Sequence, residues 1–357
     1  NKYIIFSEKL KLTHILFGYS FNKSIEILML SKLTHLEFGY QFNNELELNE
    51  SLEYLKFGKY FNQPIKLNTQ LLHIEFGYSF NQPIKLNEKL EYLKFDEDYD
   101  QQIELNNNLL HLEFGFKFNK QITLNEKLEY LKFGTCFNQQ IELSKCLIHL
   151  EFGFKFNKPV TLNEKLEYLD FGDNFNQPIK LNDKLIQLKF RGLFNTPIKI
   201  NKLMEHLTLS TNFNLPIEPN EKLIFLEFGY SYNKPIKLNK NLKKLIFGTH
   251  FNTSFDLNDL LEYLKFGEKF NKPIKINNNL KYLEFGVSFN QPIKLNQSLK
   301  YLIIGNYGYN YNLDLPNIQE LKINSNNKYI IENLPSSLEV LELGVNFNLE
   351  LINLPNG

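Results

Sequence analysis

The sequence predicts a mainly β solenoid of about seventeen coils, with one long parallel sheet and extended return segments. Three observations predict it. The unit L-x-x-L-x-F-G-x-x-F-N-x-P-I-x-L-N-x-x recurs with a fixed period of 19 residues. An aromatic residue keeps step with it, without insertion, from Phe42 through Phe61, Phe80 and Tyr99 to Phe289. Within each unit, Leu93 and Phe95 alternate with Tyr92 and Lys94, the period of two of a half-buried strand. A coil this small buries its apolar side only against its neighbours, so stacking is the expected source of the core.

Each element of the coil has a local reason. Leu90 precedes the strand Tyr92 to Phe95 and is expected to point inward with Leu93 and Phe95. A glycine usually follows (Gly39, Gly58, Gly77, Gly115, Gly134), which permits either a positive φ or a close backbone approach. The Phe of each Phe-Asn pair is too regular for a surface aromatic and should fill the interior. The Asn beside it (Asn43, Asn62, Asn81, Asn119, Asn138, Asn157) is expected inside the corner. Stacked amides there can bond along the axis and hold the turn, an asparagine ladder. A second Asn column (Asn68, Asn87, Asn106, Asn125, Asn163, Asn182) should act likewise at the opposite corner. The return segment alternates Ile84 and Leu86 with Lys85, and Pro83 leaves it unpaired at its start. Gln102, Gln121 and Gln140 replace that proline in three successive coils.

By length alone, 357 residues could hold roughly two or three domains. The unbroken repeat argues instead for one solenoid over 1–357, with 1–20 as a degenerate first coil and 306–357 as an irregular C-terminal cap. Residues Ser325 to Ile331 break the pattern, and Leu338 to Leu341 restore a strand. Lys+Arg and Asp+Glu both number 40, and Arg191 is the only arginine. That balance argues against nucleic acid or an anionic membrane as partner. No apolar run approaches the ~20 residues of a membrane span. Cys136 and Cys146 read as free thiols in a reducing cytosol, so a cytoplasmic location is expected, the host cytosol if the protein is viral.

Function is expected on the outward columns. The third strand position reads His35, Tyr54, His73, Tyr92, His111, Tyr130, His149, Tyr168. Two residues on, the column reads Glu37, Lys56, Glu75, Lys94, Glu113, Lys132. The repeat in this half is therefore a pair of coils. Stacked in register, these columns become an aromatic row and a salt-bridge ladder. They either dock a protein partner or only keep the coils in register. A second candidate is the edge after the glycine, with Tyr40, Tyr78, Phe116 and Phe154. Those rings either form a specificity surface or pack on one another. The stretch Asp96-Glu97-Asp98-Tyr99-Asp100 replaces both Gly and Asn with acids but lacks calcium-loop spacing. His73, His111 and His149 fall two coils apart, roughly 10 Å, too far to share a metal ion. No metal or cofactor is expected. No nucleophile elbow, phosphate loop or HExxH motif is present, so no enzyme activity is expected.

The cores Phe61-Asn62-Gln63-Pro64-Ile65 and Phe289-Asn290-Gln291-Pro292-Ile293 resemble the FNIP repeat. This is a leucine-rich-repeat-like unit found mainly in slime moulds and giant amoebal viruses. The resemblance covers most of 12–357 and implies a leucine-rich-repeat-like solenoid. The unit here is shorter than the family's commoner one, which favours extended segments on both sides of the coil. Several members carry an F-box, and for them the resemblance implies a substrate receptor of a ubiquitin ligase; no F-box pattern is visible here. A monomeric, non-enzymatic protein-recognition scaffold is the leading expectation. The alternative is a structural or coat protein that packs against copies of itself.

Overall fold

The computed structural model describes residues 4–7 and 10–351. The remaining residues of the expected first coil and C-terminal cap lie outside that set. The chain forms two compact units, Asn1–Asn182 and Asp183–Gly357.

In the first unit, β1 (Ile4–Ile5) pairs only with β3 (Ile25–Glu26) among the described residues. The main sheet holds β2 (His14–Leu16), β4 (His35–Glu37), β5 (Tyr54–Lys56), β6 (His73–Phe76), β7 (Tyr92–Phe95), β8 (His111–Glu113), β9 (Tyr130–Lys132), β10 (His149–Glu151) and β11 (Tyr168–Phe171). Consecutive strands pair in parallel with like residues opposed: Leu36 with Leu55, Leu55 with Ile74, Ile74 with Leu93. The expected degenerate first coil nonetheless supplies β2, whose longer loop is absorbed by a register of His14 against His35.

The second unit repeats the plan with β12 (Gln187–Phe190), β13 (His206–Thr208), β14 (Phe225–Glu227), β15 (Lys244–Ile246), β16 (Tyr263–Lys265), β17 (Tyr282–Phe285), β18 (Tyr301–Ile304), β19 (Glu320–Ile323) and β20 (Val340–Leu343). It departs from it at the end. A short helix, α1 (Lys328–Glu332), occupies the pattern break between β19 and β20. Asn327 caps it by accepting from Ile330 N, and donates to the carbonyls of Tyr309 and Tyr311 at 3.2 and 2.9 Å. Ile330 and Ile331 are buried, so the helix fills the coil interior where the repeat residues are missing.

The core consists of columns. Strand centres such as Leu36, Leu55, Ile74 and Leu93 are fully buried, as are Leu52, Leu71 and Leu90 one step earlier. Two aromatic columns complete it. Within a coil, Phe57 stacks on Phe61 at 3.6 Å, and Phe95 on Tyr99 at 3.6 Å. Between coils, Phe61 faces Phe80 at 6.0 Å and Phe57 faces Phe76 at 5.7 Å. Such offset pairs add ~0.5–1.5 kcal/mol each to the burial of their area.

The glycine column is explained by close approach. None of these glycines has a positive φ. A Cβ on Gly134 would instead fall inside the carbonyl group of Gly115, and one on Gly153 inside that of Gly134. Coil n therefore stacks backbone on backbone at this corner.

The two Asn columns differ from expectation and from each other. The first is only half-buried at Asn62, Asn81, Asn138 and Asn157 and exposed at Asn43 and Asn119, so it does not face fully inward. Its carbonyl oxygen accepts the backbone N–H one coil on: Asn62 N to Asn43 Oδ1, and Asn81 N to Asn62 Oδ1, both at 2.9 Å. Only an acceptor is needed, so Asp100 fits the row, accepting from Asn119 N at 2.9 Å. The second column is largely buried and donates. Asn125 Nδ2 gives bonds to Asn106 O at 2.7 Å and Leu109 O at 3.0 Å, while its Oδ1 accepts Leu128 N.

The return side forms no strand after β3 among the described residues. Where glutamine replaces proline, side chains link the coils instead. Gln102 Nε2 donates to Gln121 O, and Gln121 Nε2 to Gln140 O, at 2.9 and 2.7 Å.

Candidate functional site

Alternation along each strand turns every second side chain to solvent. On the first unit these side chains form two ordered rows. The rings of His35, Tyr54, His73, Tyr92, His111, Tyr130, His149 and Tyr168 stack in sequence. The His35–Tyr54 centroids are 5.5 Å apart, and the later pairs lie between 3.9 and 4.4 Å. Strands are spaced ~4.8 Å apart, so these rings lean together to reach contact. His14 extends the row at 4.1 Å from His35.

The charged row is more directional than a simple ladder. Lys56 Nζ is 3.2 Å from Glu75, Lys94 is 3.7 Å from Glu113, and Lys132 is 3.3 Å from Glu151. Among the described residues each of these lysines pairs with the following coil only. The other carboxylate oxygen faces a histidine on its own strand, with His73, His111 and His149 Nε2 at 3.0, 2.8 and 2.8 Å. A tyrosine of the preceding coil also donates to it: Tyr54 to Glu75 at 3.5 Å, Tyr92 to Glu113 at 3.3 Å, Tyr130 to Glu151 at 3.4 Å. The working unit is thus a four-residue cluster, Tyr54–Lys56–His73–Glu75, written three times.

These contacts set the charge states. The hydrogen bond from His73, then Lys56, holds the Glu75 carboxyl down at about 2, and His149 and Lys132 do the same for Glu151. Glu113 is lowered for the same reason by His111. Burial, then the Glu75 carboxylate, pushes the Tyr54 phenol up to about 12. Tyr92 and Tyr130 are raised by burial and by Glu113 and Glu151. Glu75 is 19% exposed against 45% for Lys56. An approaching molecule therefore meets lysine tips and ring edges before the carboxylates. Glu37 has no His or Lys partner among the described residues, and His35 instead meets Thr34 Oγ1 at 2.9 Å.

The edge residues behave differently. Tyr78, Phe116 and Phe154 are exposed and have no ring partner among the described residues. They recur only in every second coil, so they do not pack on one another. Tyr40 stacks with Tyr19 at 4.8 Å. Backbone bonds such as Asp98 N to Tyr78 O and Cys136 N to Phe116 O, at 2.9 and 2.8 Å, fix the turns that carry them. The acidic stretch is committed locally: Asp98 pairs with Lys117 at 2.8 Å and Asp100 with Lys120 at 3.1 Å. Cys136 and Cys146 are free thiols.

The outward column also carries stacked groups in the second unit, which the Tyr/His reading did not include. In the second unit Lys244 Nζ sits over Phe225 and Tyr263, 5.4 and 4.5 Å from their centroids, and Tyr263 stacks on Tyr282 at 4.1 Å. The available signal was the same nineteen-residue step with a cation standing where histidine stood before.

A family model described as the FNIP repeat matches residues 42–79 and 270–307. The structure of CroV588, titled a novel circular leucine-rich-repeat protein, is 30% identical, with a TM-score of 0.68, covering 95% of this chain and 67% of its own. The chain belongs to the FNIP-repeat family. YopM from Yersinia enterocolitica WA-314 shares the fold with this FNIP chain, with a TM-score of 0.67 at 17% identity, over 90% of this chain and 75% of YopM. No curated protein matches the FNIP chain in sequence. No helix among its described residues is long and apolar enough to cross a membrane. A leucine-rich-repeat-like solenoid of this kind suggests a protein-interaction scaffold.

Proposed function

We propose that the chain is a non-enzymatic scaffold that recognises a protein partner through the outward strand face of its first unit. The observation that carries this reading is the repeated Tyr–Lys–His–Glu cluster. Its side chains are already held by one another, so little rotamer freedom remains to be lost on binding. Tyrosine edges over a fixed row suit a protein interface, and the exposed lysines favour a partner with an acidic surface. A substrate-receptor role in ubiquitin ligation, implied by F-box-bearing members of the family, is a special case in which the same face holds the substrate.

The test is a charge reversal of Lys56, Lys94 and Lys132 to Glu, with the partner recovered by the wild-type protein as the ligand. Binding should weaken by tenfold or more, about 1.4 kcal/mol, measured at a temperature where the variant is still folded, because the reversal also removes the three Lys–Glu pairs. Unchanged binding would remove the strand face from the reading. The alternative of self-packing is separated by light scattering at high protein concentration, where this reading expects a monomer.

A further inference from the structure

The ammonium of Lys59 sits among three phenol rings. It is 5.3 Å from the centroid of Tyr40, 5.6 Å from Tyr60 and 4.7 Å from Tyr78. Tyr40 and Tyr78 hold the same turn position one coil before and one coil after, and Tyr60 is the next residue in the chain. Main-chain bonds set this spacing, with Tyr60 N on Tyr40 O at 3.1 Å and Ser79 N on Lys59 O at 2.8 Å. Tyr40 and Tyr60 meet edge to face at 5.2 Å, and Tyr19 backs Tyr40 from the other side. Tyr40 and Tyr60 are therefore braced before any ligand arrives, and Tyr78 is placed by its turn backbone.

Lys59 differs from Lys117 and Lys120 on the same side of the coil. Lys117 and Lys120 each reach an aspartate. Lys59 has no carboxylate partner among the described residues; the groups acting on its ammonium are the three tyrosines, first through a hydrogen bond to Tyr40. A lysine ammonium is strongly hydrated, and one phenol oxygen with three ring faces satisfies only part of its N–H set. A trimethylated ammonium has no N–H to satisfy, and ring quadrupoles are its usual partner.

We propose that Tyr40, Tyr60 and Tyr78 form a cage for a trimethylammonium group, carried on a methylated lysine of a protein segment, and that Lys59 is a resident stand-in which that group displaces. A protein source is favoured because the exposed Phe116 and Phe154 continue along the same edge, where residues flanking the lysine would lie. The cage is separate from the outward strand face, so failure of either leaves the other standing.

The experiment is a titration of the full chain, labelled with carbon-13 in its tyrosine rings, with N-acetyl-trimethyl-lysine methylamide. In Lys59→Ala, saturable shifts should appear at Tyr40, Tyr60 and Tyr78 with a dissociation constant on the order of 1 mM. Wild type should bind at least about fivefold more weakly, because Lys59 competes. The double variant Lys59→Ala/Tyr60→Leu keeps apolar bulk at an exposed site and should lose about fivefold. The neutral tert-butyl isostere should not bind. Equal binding of that isostere, equal affinity in wild type and Lys59→Ala, or shifts shared with the exposed Tyr230 and Tyr307 would overturn the proposal. Tighter binding of phosphocholine than of the lysine derivative would overturn the protein source.

Discussion

His73 Nε2 lies 3.0 Å from Glu75 Oε1, two residues along the same strand, and Lys56 holds the other oxygen from the coil before. The relationship recurs at Glu113 and Glu151. It gives the fold an acid-sensitive component. In the folded state the Glu75 and Glu151 carboxyls sit at about 2, against 4.5 when free. A depressed carboxyl stabilises fully above its unfolded value and loses that contribution as pH falls towards its folded value. The window is thus from about pH 4.5 down to about 2, with on the order of 1–2 kcal/mol per site after allowing for partial solvent contact. Thermal unfolding across this window should fall more steeply for wild type than for Glu75→Gln/Glu113→Gln/Glu151→Gln. Parallel curves would contradict it.

Glycine at the stacked corner is predicted to be costly to replace where backbone meets backbone as closely as at Gly134, although Asp96 and Ser210 stand in the same column elsewhere. A Cβ on Gly134 would overlap the Gly115 carbonyl, whereas one on Gly18 meets nothing within 4 Å. Gly134→Ala should destabilise by about 3 kcal/mol or more, and Gly18→Ala by less than about 0.5 kcal/mol. Denaturant unfolding of the two variants checks the contrast.

The two asparagine rows should answer the same substitution in opposite ways. Asn62 acts as an acceptor, taking Asn81 N at 2.9 Å and Gln82 Nε2 at 3.2 Å. Asn62→Asp keeps both bonds and should change stability by less than about 1 kcal/mol. Asn125 donates to two carbonyls in a buried corner. Asn125→Asp sets a carboxylate against them and should cost about 3–5 kcal/mol. Equal effects in calorimetry would contradict the division of roles.

Tyr99 stands in the Phe column with its hydroxyl buried and unpartnered, and the phenol is raised by that burial. Removing the oxygen removes an uncompensated desolvation. Tyr99→Phe should therefore stabilise the protein by roughly 1 kcal/mol. The same change at Tyr232, also buried and unpartnered, should act alike.

Much of this was legible in the sequence, because a nineteen-residue period converts columns directly into spatial rows. The buried leucines, both Phe columns and the His/Tyr stack follow from it. Other features were not readable for definite reasons. Glycine serves both positive φ and close approach, so Gly134 could not be assigned to one. An amide donates and accepts, so the opposite duties of Asn62 and Asn125 were hidden until their neighbours were placed. The substitution Asp100 was the clue to the first. Gln102 looked like a lost proline, but its side chain bridges to the next coil. Helix α1 has only five residues, too few for a helical period to show. The Lys59 cage joins one column, Tyr40, Lys59 and Tyr78, to Tyr60 from the neighbouring column, and a reading by single columns hides that.

The central claim is that the outward strand face is the recognition surface, and site-resolved photo-crosslinking tests it most directly. A benzophenone amino acid would replace Tyr92 or Tyr130 on that face, or Lys85 on the return side, in full-length protein exposed to the proteins of its source cells. Capture of one shared partner at Tyr92 and Tyr130, and its absence at Lys85, is the predicted result. Capture of that partner at Lys85 but not at the strand positions would contradict the account.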